Sequence, residues 1–156
     1  TTGVARLQRR LRDDVPAGRS GKEALMFQPS NAFSSFAVPD LDAARRFYGE
    51  TLGLDVTTEP ETGMLELRVG SGEPVLVYIK PDHQPAVFTV LNFPVPDIDQ
   101  AVADLKAAGV SMERYDLPDL QPDANGVYRG QGPAIAWFKD PAGNILSVLQ
   151  QDGASA

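Results

Sequence analysis

The stretch Val38-Pro39-Asp40-Leu41-Asp42 occurs a second time as Val95-Pro96-Asp97-Ile98-Asp99, and this repeat decides the fold. The two copies are identical except that Ile98 takes the place of Leu41. In both, an extended run ends at proline. An aspartate follows, a residue type whose carboxylate accepts hydrogen bonds from the free N–H groups of a helix's first turn. The repeat therefore predicts two copies of one strand-to-helix unit.

Each copy continues in the same way along the chain. Apolar residues at helical spacing predict one helix from Asp40 to about Thr51 and another from Asp97 to about Ala108, each followed by a glycine that can end it. Short runs bounded by glycine and proline predict three strands after each helix: residues 54–58, 64–69 and 75–80 in the first copy, and 111–115, 134–139 and 145–150 in the second. The fold class is therefore α+β, with two β-α-β-β-β modules.

These elements divide the chain into five parts. We expect an N-terminal arm with room for a short helix, a first module, a linker, a second module and a tail: residues 1–30, 31–82, 83–86, 87–150 and 151–156. A loop rich in proline and glycine, from Leu117 to Gly132, interrupts the second module. Loops of that length in a compact domain often act as lids, so Tyr128 either closes over a ligand or lies in an exposed loop.

Composition limits the classes of function. The 156 residues hold 21 acidic and 14 basic side chains, a net charge of −7, which argues against a nucleic-acid surface. There is no cysteine, which excludes disulfides and thiolate metal sites, and His83 is the one histidine. No apolar run reaches the length of a membrane span, and no apolar signal core follows the basic N-terminus. We expect a cytoplasmic protein that binds neither nucleic acid nor membranes.

Three further motifs carry a family resemblance. Phe47-Tyr48 and Leu52-Gly53-Leu54 follow the first repeat, and Asp140-Pro141-Ala142-Gly143-Asn144 precedes the last strand. With the duplication, residues 31–150 resemble the vicinal oxygen chelate superfamily, which contains glyoxalase I, bleomycin-resistance proteins, extradiol dioxygenases and fosfomycin-resistance enzymes. The resemblance implies curled mixed sheets that form an open barrel around a cavity. It also implies a homodimer.

Metal-dependent members of that superfamily bind their ion through residues on the first and last strands of the modules. The resemblance places these positions at Phe33 and Val90, at Ser147, and at Leu76 or Tyr78. Divalent cations prefer carboxylates, imidazoles or several oxygens, which these residues do not supply. We therefore expect a member that lacks the metal ligands and uses no cofactor.

Period-two alternation assigns one face of each strand to the helices and the other to the cavity. The cavity face is mainly apolar and aromatic with a few polar groups, which is typical of a small-molecule pocket and equally of a filled barrel core. If charged side chains of this face are buried, Arg68 suits an anionic ligand; a solvated strand face is the alternative. The expected ligand-binding residues are Phe33, Ser35, Arg68, Tyr78, Val90, Asn92, Tyr128, Trp137 and Ser147.

Catalytic residues stay unknown, with Glu66, as a general base, and Tyr78 as the candidates. His83 lies between Pro81 and Pro85 and is either a solvated linker residue or a hydrogen-bonding group at the cavity rim. Three hypotheses remain open. The first is a metal-free protein that binds a small, partly aromatic organic molecule. The second is a lyase, isomerase or dioxygenase of the superfamily with a non-standard or absent metal site. The third is an interaction module with no small ligand.

Overall fold

A computed structural model describes residues 29–151 of the chain. The first half contains β1 (Ser35–Val38), α1 (Leu41–Arg45), a π-helical segment (Arg46–Thr51), β2 (Asp55–Thr58), β3 (Leu65–Arg68) and β4 (Val75–Ile79). The second half contains β5 (Thr89–Val95), α2 (Ile98–Ala107), β6 (Ile135–Lys139) and β7 (Ile145–Gln150). Apart from residues 29, 30 and 151, the arm and tail expected from the sequence lie outside the described residues.

Both helices begin where the repeat predicts. The Asp40 carboxylate accepts a hydrogen bond from the backbone N–H of Ala43, and the Asp97 carboxylate accepts one from Gln100, each at 3.0 Å. The first helix widens from an α-helix into a π-helical turn before it ends at Leu52. Local side-chain chemistry therefore sets the start of each helix, as expected for N-caps.

The strands form two small sheets, one from each half of the chain. The first sheet has the order β1-β4-β3-β2 and the second has the order β5-β7-β6. In each sheet the strand before the helix runs parallel to the last strand of its module, and all other pairs are antiparallel. These sheets confirm the predicted α+β class, and they do not close into a barrel.

The predicted strand at 111–115 is wrong, so the second sheet has three strands rather than four. Residues 111–115 make one backbone hydrogen bond to β6, from the Glu113 N–H to the Trp137 carbonyl, at 2.7 Å. Further along the same edge of β6, Tyr128 from the long loop exchanges two backbone hydrogen bonds with Ile135. The loop therefore occupies part of the β6 edge with which a regular fourth strand would pair.

One hydrophobic core serves both halves. It includes side chains from β1, the first helix, both sheets and α2. Two polar contacts also join the halves: the Tyr48 hydroxyl donates to Asp140 at 2.7 Å, and the Asn144 amide donates to the Ala37 carbonyl at 3.0 Å. Within residues 29–151 no helix is long and apolar enough to cross a membrane.

Candidate functional site

The side of each sheet away from the core presents the predicted cavity residues. In the first sheet Ser35 pairs with Leu76, and Leu76 pairs with Glu66, so these three side chains share one face. In the second sheet Asn92 pairs with Ser147, and Ser147 pairs with Trp137. We call these two surfaces the open faces of the first and second sheets, because several of their side chains are exposed.

A cavity of about 630 Å³ lies where the two sheets meet, and we call it the junction cavity. Three of the predicted ligand-binding residues, Ser35, Tyr78 and Val90, line this space together. Its further polar lining comes from Ser34, Lys80, Asp82, His83, Gln84, Thr89 and Asn144. The cavity has the size of a ligand pocket, since such pockets commonly measure about 300–1,000 Å³.

An aromatic cluster surrounds Trp137 on the open face of the second sheet. The Trp137 ring meets Tyr115 edge-on at a centroid distance of 5.7 Å and Tyr128 at 5.1 Å. The indole N–H of Trp137 donates to the Thr89 hydroxyl at 3.0 Å. Thr89 also lines the junction cavity, so this hydrogen bond connects the cluster to the cavity.

Two predicted binding residues, Asn92 and Ser147, form a hydrogen bond with each other in the cross-strand row that includes Trp137. The buried Ser147 hydroxyl donates to the Asn92 side-chain oxygen at 2.6 Å. Asn92 itself is exposed, so this hydrogen bond leaves its amide NH₂ group available to a ligand. The pair therefore presents an oriented hydrogen-bond donor on a mainly aromatic surface.

Glu66 and Arg68 lie on the first sheet and are paired with each other. Arg68 donates to Glu66 at 3.0 Å, and the Arg68 side chain is 51% exposed. Thr57 donates to the same Glu66 oxygen at 3.4 Å. Glu66 is therefore engaged by two neighbours, and Arg68 reaches solvent beside it.

Two other predicted residues occupy unexpected surroundings. Phe33 precedes β1, is 47% exposed and does not line the junction cavity. Tyr128 is buried, and its hydroxyl donates to the Tyr115 carbonyl at 3.1 Å while it accepts from the Tyr115 N–H. Arg129 next to it donates to Asp99 at 2.7 Å. The loop therefore places Tyr128 in the aromatic cluster and is fixed by hydrogen bonds at both Tyr128 and Arg129.

His83, Tyr115 and Thr89 complete the surroundings of the site. The Nε2 atom of His83 is buried without a hydrogen-bond partner, although the residue lines the junction cavity. Burial, followed by the charge of Glu113, raises the pKa of Tyr115, so its phenol stays neutral at physiological pH. Tyr115 and Thr89 are not among the site residues that the sequence predicts. Thr89 begins a β-bulge through Val90, which strict alternation does not anticipate.

The positions at which the family resemblance implies metal ligands do not fit a cation here. Ser147 uses its hydroxyl to hold Asn92, and Phe33, Val90 and Leu76 have no donor atoms in their side chains, while Tyr78, the alternative to Leu76, offers a single phenol oxygen. Across residues 29–151 no three acidic, histidine or cysteine side chains come close enough to form a metal group. Neither the residues at the expected positions nor their neighbours form the donor set that a divalent ion prefers.

Comparison with solved structures shows the same fold in bacterial proteins. TnmS3, an antibiotic binding protein from a Streptomyces species, is 23% identical and matches with a TM-score of 0.54 over 84% of this chain and all of its own. A superfamily member from Sphaerobacter thermophilus is 20% identical, with a TM-score of 0.56 over 81% of this chain and 100% of that one. A glyoxalase family protein from Enterococcus faecalis is 25% identical, with a TM-score of 0.54 over 75% and 94%.

A search of curated proteins finds no match. The model of one protein family, however, matches residues 32–148, which include both modules and both copies of the repeat. The match agrees with the two sheets, the paired helix starts and the turn before the last strand. The chain therefore belongs to the Glyoxalase/Bleomycin resistance protein/Dioxygenase superfamily.

Proposed function

We propose that this protein binds and sequesters a small, partly aromatic organic molecule without using a metal ion. The observation that carries the proposal is the Trp137 ring, which meets both Tyr115 and Tyr128 edge-on and donates a hydrogen bond to Thr89 of the junction cavity. Aromatic rings in edge-on contact with one another present fixed surfaces on which a planar ligand can stack. No covalent step is needed for such a function.

The polar groups of the site suggest what the ligand carries. The free NH₂ group of Asn92 lies in the same cross-strand row as Trp137, with Ser147 between them. A carbonyl or ether oxygen on a planar ring system would accept from this amide while the rings contact the aromatic cluster. A small number of placed polar groups on an apolar surface is the usual composition of a small-molecule site.

The structural comparison supports the same class of function. TnmS3, which shares the fold, is described as an antibiotic binding protein. At 23% identity this likeness concerns the fold, so the function proposed for the present chain depends on its own residues. Glu66 is held by Arg68 and Thr57, an arrangement that favours binding over proton abstraction.

We further propose that the protein acts in the cytoplasm as a homodimer. The two sheets leave their open faces uncovered, and four of the six large apolar side chains that are exposed among residues 29–151 lie near the junction cavity. These are Phe33 at 47%, Tyr78 at 37%, Val87 at 93% and Phe88 at 67%. A second copy placed over this surface would bury them and enclose the ligand.

A titration with 1,4-naphthoquinone tests the binding function. This compound is planar, has two carbonyl acceptors and quenches indole fluorescence. The absence of cysteine removes its usual covalent reaction with proteins. We expect saturable quenching of Trp137, the one tryptophan of the chain, and full recovery of the unchanged quinone afterwards.

Matched variants show where the quinone binds, with affinity measured by calorimetry. Asn92→Ala removes the exposed amide and is expected to weaken binding about fivefold, the effect of one hydrogen bond of about 1 kcal/mol. Asn125→Ala is the control. Asn125 lies in the long loop, where its side chain accepts a hydrogen bond from Lys106 of α2, and we expect the substitution to leave affinity unchanged. Equal affinities for both variants, or linear quenching without saturation, would contradict the proposal.

Metal content is measured on the same preparation. We expect no stoichiometric metal and no thermal shift on adding Zn²⁺, Mn²⁺, Fe²⁺ or Ni²⁺. A bound equivalent of any of them with a large shift would instead support the enzyme hypothesis.

A further inference from the structure

A second hollow lies on the opposite side of the second sheet from Trp137. It measures about 280 Å³, and we call it the helix-side pocket. Its floor consists of Phe93, Phe138 and Val148. Along β5 and β7, Phe93 and Val148 alternate with Asn92 and Ser147, so the thickness of the sheet separates this pocket from the candidate site.

Small residues explain why the hollow exists. One wall is formed by Ala101 of α2 and by Ala108, the C-cap residue of that helix, and the other by Leu52 and Leu54 after the first helix. The two alanines are two turns apart on one face of the helix, and their methyl groups are too short to fill the space above the phenylalanines. Side chains in protein interiors usually pack closely, so these short methyl groups leave the space between the helix and the sheet open.

The lining determines the chemistry that fits. Phe138 is 1% exposed and Val148 5%, which makes the floor dry and apolar. The one charged side chain of the lining is Asp104, at the exposed rim, where it accepts from Gln100 at 2.8 Å. A carboxylate at the rim disfavours anionic ligands. The rings of Phe93 and Phe138 are nearly parallel, with centroids 6.5 Å apart, and provide a flat apolar floor.

The volume of the pocket limits the size of the ligand that fits. An apolar cavity of about 150 Å³ holds one benzene molecule, and this pocket has roughly twice that volume. It is therefore suited to two fused rings and is too small for a helix or strand of another protein. We propose that the helix-side pocket is a second binding site, for a neutral, apolar molecule of about ten non-hydrogen atoms. This site is independent of the function proposed for the open faces.

Quinoline, a neutral molecule of two fused rings, is the probe. The protein is labelled with ¹⁵N, and amide chemical shifts are followed during titration. We expect saturable shifts at residues 101–108 and 52–54. Quinoline-4-carboxylate, which has the same rings and a negative charge, is expected to bind at least about fivefold more weakly because it meets Asp104.

Three variants test the location. Ala101→Leu and Ala108→Leu fill the pocket and are expected to abolish the shifts, whereas Ala103→Leu places the same side chain on an exposed position of α2 that does not line the pocket. Melting temperatures verify that all three fold. Naphthoquinone quenching of Trp137 is expected to survive in all three, so failure of one proposed site is distinguishable from failure of the other.

Several results would overturn the proposal. One is unchanged quinoline binding by both filled variants. Another is a set of shifts confined to residues 89–95 on the open face, or shifts that do not saturate. If quinoline does not bind and Ala101→Leu instead changes the oligomeric state, the pocket receives a side chain of a second copy, and the proposal is wrong.

Discussion

The Tyr48 hydroxyl donates a 2.7 Å hydrogen bond to Oδ2 of Asp140, and this buried contact joins the first helix to the turn before the last strand. Asp140 also accepts from the backbone N–H groups of Ala142 and Asn144, each at 2.9 Å. The Asn144 amide in turn donates to Asp140 and to the Ala37 carbonyl of β1. The two halves of the chain are thus connected through one polar cluster inside a shared core.

The Tyr48→Phe substitution tests that connection. Loss of the hydroxyl leaves a buried carboxylate oxygen with one partner fewer, which costs about 2 kcal/mol. We expect the free energy of unfolding, measured by urea denaturation, to fall by that amount. Tyr78→Phe is the control, because Tyr78 is 37% exposed, and it should change stability by less than about 0.5 kcal/mol. Equal effects would show that the Tyr48 hydroxyl does not stabilise the fold.

The same contact predicts how stability depends on pH. Burial is the main reason that the pKa of Tyr48 is raised, and the charge of Asp140 and the hydrogen bond to it act in the same direction. An unfolded tyrosine ionises near pH 10, so above about that pH the unfolded chain releases a proton that the folded protein keeps. The stabilisation is thus present below about pH 10 and is lost as the pH rises further.

We therefore expect the urea midpoint of the wild-type protein to fall between pH 8 and about pH 11, and to fall less in Tyr48→Phe. A decline of equal steepness in both proteins would mean that Tyr48 is not the titrating group. Tyr115, whose pKa is also raised, accounts for part of the decline that remains in the variant.

Asn144→Asp replaces an amide donor with a carboxylate of the same shape. The new charge would lie beside Asp140, where the amide nitrogen now donates at 2.9 Å. The variant would also lose the hydrogen bond that the Asn144 amide donates to the Ala37 carbonyl. Because two buried carboxylates would face each other, we expect a loss of about 3 kcal/mol or more. Asn125→Asp makes the same exchange at an exposed loop position and should cost less than about 0.5 kcal/mol. Thermal unfolding compares the two variants, and similar melting temperatures would refute the prediction.

The sequence predicts the elements whose signals are local. Asp40 and Asp97 cap their helices because capping involves a side chain and backbone groups three residues away. The alternation of Leu65, Glu66 and Leu67 predicts which side of β3 is buried, since strand side chains alternate between faces whatever the neighbouring strand is. In such cases the residues of a short segment contain all the information that is needed.

Non-local contacts explain what the sequence missed. Residues 111–115 have a suitable strand composition, but Tyr128 pairs with part of the same edge of β6, and nothing in the local pattern signals this. The bulge at the start of β5 places Thr89 opposite Ile145, and alternation alone does not reveal it. Tyr115 enters the site only because its ring meets Trp137 across the sheet edge.

Ser147→Ala tests whether the serine orients Asn92 for a ligand. Without the 2.6 Å hydrogen bond, the Asn92 side chain is free to rotate, so its NH₂ group is no longer held toward the ligand. We expect naphthoquinone affinity to fall about threefold to fivefold, measured by calorimetry. Ser71→Ala, at an exposed turn, is the control. A melting temperature that drops while affinity stays constant would assign Ser147 a purely structural role.

Two glycines of the long loop test whether it is a fixed platform for Tyr128. Gly126 has a φ of +91°, and a Cβ there would lie 2.8 Å from Cβ of Met112. Gly130 has a φ of +109°, but a Cβ there would meet nothing within 4 Å. Alanine at either position is strained by about 1–2 kcal/mol, because L-residues rarely adopt a positive φ.

Gly126→Ala must in addition push Met112 away, and Met112 packs against the core. We therefore expect Gly126→Ala to lose about 1 kcal/mol more stability than Gly130→Ala in urea denaturation. It should also shift the fluorescence of Trp137, because displacing residues 126–128 moves the Tyr128 ring that contacts the indole. If the loop is instead a mobile lid, the two variants will lose equal stability and the Trp137 emission will match that of the wild type in both.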